Sequence, residues 1–133
     1  MNELLIGALY FLHILIFLTW IVPFFIPTLL WKNKIKFQFY FMASNLVLNS
    51  LWGLYFTFKI GGYHSVCFLT SIMQKLRGHN LLDPANYNHS FVAEVLSTFN
   101  INLNNTAVGI IMVILFAFVS FQYLRNLYSF KKR

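Results

Sequence analysis

Few residues in this 133-residue chain could do chemistry. The single cysteine, Cys67, stands three positions after His64, and a thiol beside an imidazole is the pairing that nucleophilic catalysis uses. The same spacing could bring both side chains to one metal ion, with His79 or His89 completing a set. A zinc site needs four assembled ligands, and one cysteine with scattered loop histidines meets that pattern easily by chance, so no metal is expected. His13 is the ionisable side chain inside the first long apolar run, aligned with Tyr10, Phe17 and Trp20 on one helical face. A neutral imidazole bonded to Asn45 or Asn49 would serve packing equally well. One cysteine excludes an internal disulfide. Haem held by two histidines is not expected either, because the other two apolar runs contain no histidine.

A second group of polar residues lies in the middle of apolar sequence. Gln38, Asn45, Trp52 and Lys59 recur every seven residues, and Asn49 shares their face. Amides are poor neighbours for lipid, so this stripe is expected to face other helices or a partner. In the last apolar run Thr106, Gly109, Ala117 and Ser120 form a small-residue stripe that permits close helix approach. Asn88-His89-Ser90 and Asn104-Asn105-Thr106 match the glycosylation sequon, a pattern short enough to arise by chance.

The elements that must position these residues follow from composition. Hydrophobic residues make up 59% of the chain and charged ones 10%, a balance that a water-soluble fold of this size could not bury. Sixteen Phe, seven Tyr and three Trp suit lipid contact and interfacial belts. The net charge of +7 flanks the apolar runs and no nucleic-acid motif accompanies it, so no nucleic-acid partner is expected. The sequence predicts an all-α membrane bundle, one domain over 1–133, with three transmembrane helices at about 4–31, 37–58 and 106–124. The first run, about 42 Å as a helix, exceeds a hydrocarbon core of about 30 Å, and Pro23 and Pro27 predict a kink or an early end near 20–23. Lys32, Lys34 and Lys36 form a basic hinge, and Gly61-Gly62 closes the second run.

The loop at about 63–105 is expected to hold one or two short amphipathic helices, capping the spans or lying on the membrane surface. Leu69, Ile72, Met73 and Leu76 share one face, with Arg77-Gly78 as a basic last turn and stop. After Ser90 as N-cap, Phe91, Val92, Val95, Leu96 and Phe99 share another, with Glu94 and Ser97 pointing away. The segments 79–84 and 86–88 read as turn and loop. Lys32, Lys34, Lys36, Arg125, Lys131, Lys132 and Arg133 put the hinge and tail in the cytoplasm, and the N-terminus and the 63–105 loop outside a bacterial inner membrane.

The residues around Cys67 also carry a family likeness. Gly61-Gly62-Tyr63, Cys67-Phe68-Leu69-Thr70, Lys75-Leu76-Arg77-Gly78, Leu82, Pro84 and Tyr87-Asn88-His89-Ser90-Phe91 resemble, in that order, the domain-of-unknown-function 2784 family of small bacterial membrane proteins. The resemblance extends to Leu12-His13 in the first span, Trp31 at its inner end and Trp52-Gly53 in the second. It departs at Phe68, where the family usually has Pro, and after Thr70. It implies His13, Trp31, Cys67, Leu69, Thr70, Gly78, Tyr87 and Phe91 as motif residues and no established activity.

The leading functional expectation is an accessory or structural subunit that packs with larger membrane partners or with itself, without a cofactor. An enzyme or redox protein acting on a lipid or quinone through His13, His64 and Cys67 is the alternative from another class. A small channel or holin-like pore along Gln38, Asn45 and Lys59 is a third.

Overall fold

The computed structural model describes residues 2–62, 64, 66–87 and 90–131. Tyr63, Asn88, His89, Lys132 and Arg133, which carry parts of the motif, a sequon, a metal-ligand candidate and the basic tail, lie outside the described residues. The chain is all-helical, and no strand occurs among the described residues. The order is α1 (Asn2–Phe25), α2 (Lys34–Ile60), α3 (Phe68–Leu76), α4 (Pro84–Tyr87), α5 (Phe91–Ser97) and α6 (Asn105–Lys131).

Two stretches, Glu3–Phe25 of α1 and Thr106–Tyr128 of α6, are long and apolar enough to cross a membrane. α2 is as long as α6 at 27 residues, but Gln38, Asn45 and Asn49 dilute its apolar character. The first apolar run does not remain helical to Trp31. α1 passes through Pro23 and stops at Phe25, and the Pro27 carbonyl then accepts the N–H groups of Leu30 at 3.1 Å and Trp31 at 3.3 Å in a turn. Residues 26–33 thus absorb the excess length as a connection. The Lys34 ammonium donates to the Ile26 carbonyl, satisfying an acceptor just past the helix end. At the other end of α2, Gly61 and Gly62 take φ of 80° and 76°, a region that disfavours any side chain, and the helix stops there.

The three long helices meet at Trp20, Met42 and Val119, one buried residue from each. Phe39 of α2 stacks on Tyr123 at 4.5 Å and on Phe116 at 5.8 Å. The Tyr40 and Tyr123 hydroxyls lie 3.2 Å apart. These contacts set the start of α2 beside the last turns of α6, so the lysine hinge and Arg125 share one end of the molecule. Elsewhere the long helices present apolar surface outward, with Phe11, Leu51, Ile114 and Phe121 all exposed.

The short helices depart from the sequence expectation in one instructive way. Leu69, Ile72, Met73 and Leu76 form the apolar face of α3, yet the structure buries Thr70, Ser71, Met73 and Gln74 and leaves Leu69, Ile72 and Leu76 half-buried. α3 packs on α1 and α2, where His13 and Trp52 offer hydrogen bonds, so its polar side turns inward. In a medium of lipid that is the favoured sense, because apolar side chains lose nothing by facing outward and polar ones lose partners. The segment read as a loop at 86–88 begins inside a single turn of helix, α4. α5 is shorter than its apolar pattern suggests, ending at Ser97, so Phe99 is 71% exposed instead of continuing the face of Phe91.

Candidate functional site

The polar centre of the molecule gathers where α1, the start of α3 and α5 meet. His13 projects from the middle of α1 and is 7% exposed. Its Nδ1 lies 2.9 Å from the Leu9 carbonyl one turn earlier. A carbonyl can only accept, so Nδ1 carries a proton and donates it there. Nε2 on the other side of the ring faces Cys67 Sγ at 3.4 Å and Thr70 Oγ1 at 3.3 Å. The Phe91 ring lies against the imidazole at 4.2 Å between centroids, and Tyr10 meets the same Phe91 edge-on at 4.7 Å. Aromatic surface therefore closes one side of the pair.

Local structure explains how Cys67 reaches this place. Its backbone is extended at φ −76° and ψ 126°, in the N-cap position of α3. The first turn of any helix has N–H groups without intrahelical partners. One of them, the Phe68 N–H, donates to Asn49 Oδ1 at 3.1 Å, which latches the start of α3 to α2. One turn further along α2, the Trp52 indole donates to Ser71 Oγ at 2.9 Å. Asn86 Nδ2 reaches the Ser71 carbonyl at 3.4 Å, placing α4 on the same helix. Gly53 completes the fit, because a Cβ built on it would lie 2.5 Å from the His64 carbonyl oxygen. Only glycine lets the segment before α3 lie so close to α2.

The pairing is not the one that the spacing suggested. His64 and Cys67 precede α3 and are not on a helical turn, so the i, i+3 relation does not bring them together; His64 Nε2 instead meets the Gly61 carbonyl at 3.0 Å. His13 bonds to neither Asn45 nor Asn49. Asn45 donates to the Phe41 carbonyl of its own helix at 2.9 Å, and Asn49 holds Phe68. His79 pairs with Asp83 at 3.6 Å on the surface. No group of three or more His, Cys, Asp or Glu is placed to hold a metal ion among the described residues.

The stripe on α2 makes contacts within the chain. Gln38 is 2% exposed and donates to the Trp20 carbonyl at 2.7 Å, and Asn49 and Trp52 hold α3, whereas Lys59 is exposed at the far end. The small-residue stripe of α6 is not the face that packs inside the chain. Thr106 and Ala117 are exposed, nothing lies within 4 Å of a Cβ added at Gly109, and Ser120 donates to the Phe116 carbonyl of its own helix at 2.8 Å. α6 packs instead through Val108, Met112, Leu115, Phe116 and Val119.

The other motif residues have separate places. Trp31 lies against Phe37 with the rings tilted and their centroids 5.0 Å apart beside the hinge, Gly78 ends α3 with φ 94°, Leu69 is half-buried, and Tyr87 closes α4. Ser90 caps α5, accepting the Ala93 N–H at 3.4 Å, and Glu94 reaches across to Arg77 at 3.3 Å. Asn104 of the second sequon folds back as a cap, its Oδ1 accepting the Ala107 N–H at 2.7 Å.

Sequence reasoning missed Thr70 as a partner of His13, and missed Ser71, Gln74 and Asn86 as buried polar groups. A signal existed. Thr70, Ser71 and Gln74 share one face of a short helix between apolar runs, and such a face turns inward when the surroundings are lipid.

Compared with known protein families, curated proteins and solved structures, the chain matches none.

Proposed function

We propose that the chain is a three-span integral membrane protein whose His13–Cys67–Thr70 cluster is a thiol centre for acyl transfer on a lipid-soluble substrate. The observation that carries this reading is the contact of Cys67 Sγ with Nε2 of His13, at 3.4 Å, in a ring fixed from behind by the Leu9 carbonyl. A thiol at the first turn of a helix and beside an imidazole is in the setting that makes cysteines reactive. In the step proposed, the Cys67 sulfur bonds to the acyl carbon as its proton passes to His13 Nε2, and the departing alkoxide takes that proton from Nε2. Water or a second alcohol then cleaves the thioester by the same route in reverse. Thr70 would hold the ring in place.

The spans in this reading are α1, α2 and α6. α2 belongs with the others because its polar side chains are bonded inside the chain at Trp20, Phe41 and Phe68, so lipid need not solvate them. The hinge and tail would face the cytoplasm of a bacterial inner membrane and the N-terminus would lie outside. Membership of the 2784 family is part of the proposal. Its support is that His13, Cys67, Thr70 and Phe91, dispersed along the motif, converge on one cluster.

The test is acylation of the reconstituted protein by a lipid-soluble activated ester, followed by intact mass. One adduct on Cys67 is expected, released by hydroxylamine, with His13→Gln slowing its formation about 100-fold or more. Equal rates in the two proteins, with helicity retained, would overturn the reading.

A second reading, an accessory subunit of a larger membrane assembly, draws on the open flank of α6. Gly109 there has free space beyond its Cα, and small residues let a foreign helix approach closely.

A further inference from the structure

We propose that the face of α2 from Asn33 to Asn45 binds one anionic phospholipid, its phosphate held by Lys36 and an acyl chain laid along Phe37 and Phe41. The inference rests on the reading of α2 as a span and is independent of the thiol chemistry. Phe37, Tyr40, Phe41 and Ser44 succeed one another at three- and four-residue spacings, so they share one side of the helix. Asn49 and Trp52, which are bonded to α3, lie further round it. The side of Phe37 and Tyr40 is open, both residues being exposed. A shallow depression of about 570 Å³, widely open to the surroundings, runs over Asn33, Lys36, Phe37, Tyr40, Phe41, Ser44 and Asn45.

Length and charge identify the occupant. Twelve residues at 1.5 Å give about 18 Å, close to one leaflet of a hydrocarbon core of about 30 Å. At the mouth of the groove stand Asn33 and Lys36, both exposed, next to Lys32. Lys34 is turned away onto the Ile26 carbonyl. The three acidic residues of the chain, Glu3, Asp83 and Glu94, all lie towards the opposite end, in the first turn of α1 and in the segment between α3 and α6. The hinge end thus has cationic charge without an acidic side chain to offset it, and basic pockets at this membrane level recruit anionic headgroups.

The site is tested by native mass spectrometry of the protein from mild detergent, with phosphatidylglycerol, phosphatidylcholine of the same chains, and glycerol phosphate as a headgroup without tails. One phosphatidylglycerol per chain should survive where phosphatidylcholine and glycerol phosphate are lost. Lys36→Gln should lower its retention about fivefold. Ser44→Trp, which fills the groove, should lower it too, and Lys59→Gln at the far end should leave it unchanged. Equal retention of the two phospholipids, binding of glycerol phosphate as strong as that of the lipid, indifference to Lys36→Gln, or a second protein chain crosslinked to the groove would each overturn the site. Alkaline carbonate extraction of the same variants reports on the spans separately: release from the membrane sinks the span reading, while full retention without lipid selectivity sinks the lipid site alone.

Discussion

Gly53 and Gly109 show how differently one residue type can matter in this chain. Both are helical, but a methyl at Gly53 would meet the His64 carbonyl at 2.5 Å, and backbone cannot swing aside as a side chain can. Gly53→Ala is therefore expected to destabilise the fold by about 1–3 kcal/mol through overpacking. Gly109→Ala, with open space around it, should be neutral or stabilising by up to about 1 kcal/mol through helix propensity. Thermal unfolding in detergent measures both, and equal midpoints for the two variants would contradict the close approach of α2 and the His64 backbone. The placement of His13 is a residue-scale matter as well. A helix leaves the Leu9 carbonyl within reach of a side chain four residues on, and that local bond alone settles which ring nitrogen faces Cys67.

Between elements, the junction that matters most is the latch of α3 onto α2. Asn49 accepts the Phe68 N–H, which the helix itself cannot satisfy, and Trp52 anchors Ser71 one turn on. Asn49→Leu leaves that part-buried N–H unpaired, a cost of about 1 kcal/mol. Hydrogen exchange should show the amides of 68–76 losing protection while those in the middle of α1 and α6 keep theirs. Unchanged protection in α3 would mean that the polar contacts with α1 hold it without the latch. The inward turn of Thr70, Ser71 and Gln74 belongs to the same scale. A helix chooses its buried side by what its neighbours offer, and here they offer an imidazole, an indole and an amide.

At the scale of the whole molecule, the three long helices expose more apolar surface than a chain in water would keep outside, including Phe11, Ile114 and Phe121. The protein is expected to stay in membranes through an alkaline carbonate wash. In a Cys67→Ser background, single cysteines placed at 28–32 and at 98–103 should label from opposite faces of the membrane. Labelling of both from one face would remove α2 from the spans. The accessory-subunit reading is decided here too: a gentle extract should contain the chain in a stable assembly that Gly109→Leu disrupts, and a lone monomer in every mild detergent would end that reading.

The sequence alone determined the helical class, the two strongly apolar helices, the breaks at the hinge lysines and at Gly61-Gly62, and Ser90 as a cap, because each depends on residues close together in the chain. Long uncharged runs must bond their own backbones, and paired glycines end a helix whatever lies around them. What only the tertiary structure decided was partnership: that Cys67 meets His13, 54 positions away, instead of His64 nearby, and that Asn49 holds α3 while the small residues of α6 face outward. Helical period states which side chains share a face, but not which neighbour that face will meet. That choice depends on how three helices and a folded connection fill space together, a property no short window of sequence contains.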